Sequence, residues 1–145
     1  MTNSRFLFEA YESTSFFADV PDRICIRIDE RNTDLEALLE AKSLRSWAYL
    51  TAFNPGSNLL SAEENERRQR ELEEVIAKSY RLFYRGEGIG DDGVWPAEVS
   101  VLVLGIGQEE AIELGRRFGQ RAIVFGRIGE TPRLVDCLRS PSEKR

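Results

Sequence analysis

Glu98 is the carboxylate of this chain best placed to do chemistry. It opens an otherwise apolar run, EVSVLVL, directly after Trp95 and Pro96, where partial shielding from water suits a carboxyl group to general acid or base work. An arginine nearby would stabilise negative charge developing in a hydrolysis or group transfer. The competing reading is a glutamate at a strand end that pairs with an arginine or caps a turn. A second set of residues, Thr51, Asn54, Ser57, Asn65, Arg68, Arg117 and Gln120, suits binding better than catalysis. Asn54 and Ser57 follow the end of a presumed strand, and loops mounted on strand ends are common ligand sites. Their amides and hydroxyls would hydrogen-bond a small polar or anionic ligand, with Arg68 or Arg117 balancing charge. The same residues would serve equally well to staple a loop by satisfying one another.

Other chemistry is excluded or poorly supported. The chain has no histidine, which removes a Ser-His-Asp triad, a Cys-His pair and every His-ligated metal site. Gly105 and Gly107 in LVLGIGQEEA sit between a strand and a helix, but Glu110 occupies the position where a dinucleotide fingerprint wants glycine or alanine, so glycines easing a tight turn explain the stretch better. GEGIGDDG lacks the lysine and hydroxyl residue of a P-loop. Glu87, Asp91 and Asp92 read as a solvated turn rather than a magnesium site. No cofactor and no metal centre is expected.

Several elements must position these groups. Alternation predicts half-buried strands at 5–11 and 24–28, with an irregular, Ser/Thr-rich connection over 12–21. Thr33 and Glu36 have capping-box spacing before Leu35, Leu38 and Leu39, predicting a short helix to about Lys42. The run SWAYLTAF at 46–53 predicts a strand covered on both faces, and NPGS then forces a tight loop. Ser61 and Glu64 form a second capping box, opening a helix to about Lys78. That helix carries Leu72, Val75 and Ile76 on its apolar stripe, yet the stripe continues backwards onto Asn65, Arg68 and Gln69. The expectation is that this half overhangs the sheet into solvent; the alternative is a polar pocket. A strand at 80–85 and a flexible glycine loop at 86–93 follow, then a buried strand at 98–104. A helix at 108–118 stops at Gly119, with Arg116, Arg117 and Arg121 complementing its dipole, and strands close the fold near 122–125 and 132–138.

The pattern is α+β: a single globular domain over residues 1–138, with a mixed β-sheet of about six or seven strands, about three helices packed mainly on one face, and a disordered tail at 139–145. With 41% hydrophobic and 31% charged residues the chain can bury a core without disulfides. A net charge of −5 disfavours nucleic acid, and no run approaches the roughly 20 apolar residues of a membrane span. Cys25 and Cys137 lie in apolar runs, which suits buried, reduced thiols and a cytoplasmic address.

Four blocks, AYESTSF at 10–16, SWAYLTAFNPGS at 46–57, WPAEVSVLVLGI at 95–106 and LGRRFGQRAIVFG at 114–126, together resemble the bacterial family of unknown function DUF3293 over about residues 6–135. The resemblance implies a small bacterial protein and brings no activity, substrate or catalytic residue with it. The chain departs from the family pattern after FGQ, carrying Arg121 where the pattern has asparagine. Three functional readings follow: a binding domain for a small polar or anionic ligand near the NPGS loop, a hydrolase or transferase using Glu98 with an arginine, or a protein-interaction domain presenting aromatic residues such as Trp47 and Trp95.

Overall fold

The computed structural model describes residues 11–90 and 96–138. Within them the order is β1 (Thr14–Ala18), β2 (Ile24–Ile26), α1 (Thr33–Ala41), β3 (Ser46–Leu50), α2 (Ala62–Lys78), β4 (Phe83–Gly90), β5 (Glu98–Leu104), α3 (Gln108–Arg117), β6 (Ala122–Arg127) and β7 (Arg133–Asp136). A single 3-10 turn, Pro55–Ser57, leads from β3 toward α2. The strands form one sheet in the order β2-β1-β4-β5-β3-β6-β7, so the fold is α+β. All its pairings are antiparallel, a narrower arrangement than the mixed sheet expected.

This strand order decides where the helices go. β3 and β4 both run opposite to β5, so they are parallel to each other and α2 is their crossover; β5 and β6 both run opposite to β3, with α3 between them. The second crossover is the first turned half a revolution in the plane of the sheet. With one common hand, both helices must therefore lie on the same face. The crossover from β2 through α1 to β3 steps the other way across the sheet and puts α1 on the opposite face. The two cores follow this partition. Ala48, Leu50, Val101, Val103, Ile123 and Phe125 pack with Leu72 and Ile76 of α2 and Ala111 and Ile112 of α3. The alternate strand residues Trp47, Tyr49, Leu102, Leu104 and Val124 pack with Leu35 and Leu39 of α1. Alternation along a strand sends neighbours to opposite faces, so the central stretches of β3, β5 and β6 are apolar at successive positions because both faces are covered.

Several expectations need correction. The connection at 12–21 contains β1, and β4 runs through the glycines to Gly90 rather than ending at 85. Gly86 is the reason a glycine-rich strand is possible there: a Cβ on it would lie 1.7 Å from the Phe17 carbonyl oxygen. The sheet curls enough for the Tyr49 hydroxyl on β3 to donate to that same oxygen at 2.7 Å. The first helix is capped one residue early, by Asn32, whose side chain accepts from the Leu35 N–H. The second capping box is present as expected, with Ser61 accepting from the Glu64 N–H. The strand expected at 5–11 apart from Tyr11, residues 91–93 of the loop expected at 86–93, and the tail at 139–145 lie outside the described residues. No helix among the described residues is long and apolar enough to cross a membrane.

Cys25 is exposed, against expectation, because β2 is an edge strand that turns Ile24 and Ile26 inward and the residue between them outward. Cys137 is buried, and burial, reinforced by Asp136 beside it, pushes its thiol up to about 12. A thiol reagent added to native protein at about pH 8 is therefore expected to modify Cys25 promptly and Cys137 only after unfolding. Two fast-reacting thiols would contradict this placement.

Candidate functional site

Pairing between β3 and β5 stops at Leu50 and Val101, yet the chain stays buried through Ala52 and Asn54. Its backbone groups must find partners away from the sheet, and side chains supply them. Thr51 Oγ1 donates to Val99 O at 2.6 Å and accepts from Phe53 N at 3.0 Å. Gln69 Oε1 accepts from Ala52 N at 3.1 Å, and Arg68 Nε donates to Ala52 O at 2.8 Å. Gln120 Nε2 donates to Phe53 O at 3.1 Å, and Asn65 Oδ1 accepts from Asn54 N at 2.9 Å. Asn65, Arg68 and Gln69 fall three and four residues apart, which is one helical face. The polar half of the α2 stripe is thus the hydrogen-bonding lining of a buried segment rather than a solvated overhang: Gln69 is 0% exposed and Asn65 5%. Hydrogen bonds to backbone that has left the ladder are what make buried polar residues tolerable there.

Asn54 is the junction of this lining. Its backbone is left-handed, at φ 48° and ψ 62°, and Gly56 and Ser57 that follow are also at positive φ. Its side-chain Oδ1 accepts from Leu60 N and from Asn65 Nδ2, both at 2.9 Å. The remaining amide Nδ2 donates to Glu98 Oε2 at 2.9 Å. Glu98 is half-buried at the first position of β5. Burial, with the charge of Glu98 adding to it, pushes the Tyr11 hydroxyl up from its ordinary value, so it stays a neutral phenol. What the arrangement offers chemically is a carboxylate held by a neutral amide that is itself fixed by two further hydrogen bonds.

Residues 50–123 match the model of a family described as Protein of unknown function (DUF3293). The chain belongs to the DUF3293 family. The matched span is shorter than the resemblance read from the sequence, and it runs from the last residue of β3 to the second residue of β6. Every site residue expected from the sequence lies within it. No curated protein and no solved structure matches the chain.

The DUF3293 chain brings together Thr51, Asn54, Asn65, Arg68, Glu98 and Gln120, and leaves two expected residues apart. Ser57 is exposed and left-handed; its backbone N–H donates to Asn54 O at 2.9 Å, closing the turn. Arg117 lies exposed on α3, its guanidinium 5.8 Å from the Phe118 ring centre, and lines a separate cavity. Arg68 is inside the group but committed, since Nη2 donates to Phe118 O at 2.5 Å while Nε holds Ala52 O. It pins α2 to the C-terminal end of α3, where positive charge also suits the helix dipole. Gly119, at φ 76°, lets the turn close against it: Gly56 N donates to Gly119 O at 2.9 Å and a Cβ there would meet Pro55 Cβ at 2.6 Å. Gln69 belongs to the group although the sequence did not mark it as a site residue. Gln69 carried a signal, one turn beyond Asn65 on the stripe that ends in Leu72 and Ile76. Of the acidic residues weighed for magnesium, Glu87 pairs with Arg23 at 3.2 Å, and Asp91 and Asp92 lie outside the described residues.

Proposed function

We propose that this DUF3293 domain binds a small polar ligand at the Asn54 turn, with Glu98 as the group that meets it. The observation that carries the reading is the 2.9 Å bond from Asn54 Nδ2 to the half-buried Glu98 carboxylate at a left-handed turn. Strained backbone and rigidly supported polar groups gather where ligands are held. The hydrogen-bonding lining satisfies the buried backbone, whereas orienting a carboxylate at the strand end goes beyond that need. Because Arg68 is engaged with two carbonyls and Arg117 lies elsewhere, the site favours a ligand that brings donors or positive charge over an anion. Family membership and a free, exposed Cys25 suit a bacterial protein of the reducing cytoplasm.

A catalytic reading uses the same pair, with Glu98 as general acid or base. It requires Glu98 to face Asn54, and the contact meets that requirement. Binding is the simpler reading, since the arginine it would need for developing negative charge is committed to carbonyls.

Native mass spectrometry of the purified protein tests the proposal. Wild type is expected to carry a small copurifying mass that Asn54→Ala loses, because truncation removes the amide that donates to Glu98. A retained mass in Asn54→Ala places the ligand elsewhere and leaves the Asn54 group as a loop staple.

A further inference from the structure

Among the described residues, one aromatic is left without a structural reason to be there. Tyr80 follows the end of α2 at φ 62° and is 96% exposed. Helices favour glycine at a left-handed position of this kind, so a bulky side chain strains the backbone and gains no burial. Leu82, two residues on, is also exposed, at 44%. Between these residues and α3 lies a cavity of about 200 Å³ with Val75, Ile76, Ile106 and Leu114 in its wall. An apolar cavity of roughly 150 Å³ is enough to take a benzene ring.

The rest of the lining suits a phenol in particular. Arg117 brings a cation that stacks on an aromatic face, and Glu110, paired with Arg81 at 2.6 Å, and Glu113, paired with Arg116 at 3.3 Å, keep carboxylate lone pairs that accept from a phenolic hydroxyl. Arg117 has no carboxylate partner among the described residues, and two arginines against two glutamates leave the mouth without net repulsion despite a chain charge of −5. Tyr80 stands between Ser79 and Arg81, both part of the lining, so knob and hole share one patch. That is the condition for an isologous pair, in which each copy gives and receives the same contact.

We propose that this face is a self-association surface, with Tyr80 of one copy seated in the cavity between α2 and α3 of a second copy and the reciprocal contact closing the dimer. Tyrosine and arginine at the centre of a patch are the residues that carry most of such interfaces. The surface is separate from the Asn54 turn and does not depend on the ligand reading.

Sedimentation of the full chain from about 10 µM to about 1 mM, the weak end of specific association, tests this. Wild type is expected to dimerise within that range. Tyr80→Gly should weaken the dimer at least about tenfold while raising Tm by roughly 3 °C, since glycine relieves the left-handed strain. Leu114→Trp, which fills the cavity from its own wall, should weaken it comparably. A wild-type monomer at every concentration overturns the proposal, as does a dimer that both variants leave unchanged. A wild-type monomer whose cavity-lining amides shift on titration with p-cresol would likewise overturn it, in favour of a tyrosine-bearing partner that is not this chain.

Discussion

Replacing Gln69 with alanine is expected to cost about 3 kcal/mol of stability and to lower Tm by roughly 10 °C. Gln69 is fully buried, and its Oε1 is the acceptor for the Ala52 N–H. Truncation leaves that N–H buried and unsatisfied, at about 1 to 3 kcal/mol, and opens a void where the amide was. The partner at its other end suffers less, because Glu73 Oε2 keeps Arg85 Nε at 2.7 Å. Arg67 and Arg70, on the solvent side of the same helix, provide the contrast, and alanine at either should change stability by less than about 0.5 kcal/mol. Chemical denaturation of the three variants measures the difference. A Gln69→Ala loss as small as those of the arginine variants would mean that water reaches Ala52 and that the polar stripe overhangs the sheet after all.

Gly86→Ala is expected to be at least as damaging, at about 3 kcal/mol or more. Its new Cβ would meet the Phe17 carbonyl oxygen at 1.7 Å and carbon at 2.7 Å and the Ala18 Cα at 2.9 Å. All three are backbone atoms, so no side chain can rotate away, and overpacking of this kind costs about 1 to 3 kcal/mol even in softer surroundings. β1 must then move off β4, and the Tyr49 hydroxyl loses the Phe17 carbonyl with it. Hydrogen exchange should show the β1 amides losing protection before those of β5. Gly107 makes the useful comparison. It caps α3 at φ −82° with nothing within 4 Å of its Cβ position, so Gly107→Ser should be neutral or gain a few tenths of a kcal/mol. Equal losses at the two glycines would refute the close approach of β1 to β4.

These two positions also mark where the sequence could and could not be read. β3, β5, α2 and α3 were legible because their signals are local: a doubly covered strand is an apolar run, and a capping box announces a helix start. β1 was hidden because TSFFA follows Ser and Glu residues that look like a turn, and β4 because glycine is a poor strand residue by propensity. Gly86 becomes necessary only when β1 folds over it, a contact between segments nearly seventy residues apart that no window along the chain contains. Of the candidate site, the polar positions were legible and their job was not. Asn65, Arg68 and Gln69 stood out as polar residues on an apolar stripe, but deciding between solvent and a buried partner required knowing that β3 leaves its ladder at Leu50. Arg117 differed from Arg68 only by which way its helix turns it.

The central claim is that the Asn54 turn holds Glu98 toward a ligand, and a paired thermal-shift screen of wild type and Glu98→Gln tests it most directly. Glutamine keeps the shape and can still accept from Asn54 Nδ2, so the contact that defines the turn survives the change. Screened against amines, amino acids, sugars and nucleosides, wild type is predicted to show a saturable rise with a donor-bearing or cationic compound, reaching about 2.7 kcal/mol of stabilisation at a hundredfold excess over Kd, and Glu98→Gln is predicted to lose it. Equal shifts in the two proteins, or none in wild type with any compound, would contradict the claim and reduce the Asn54 group to the staple that holds β3, α2 and α3 together.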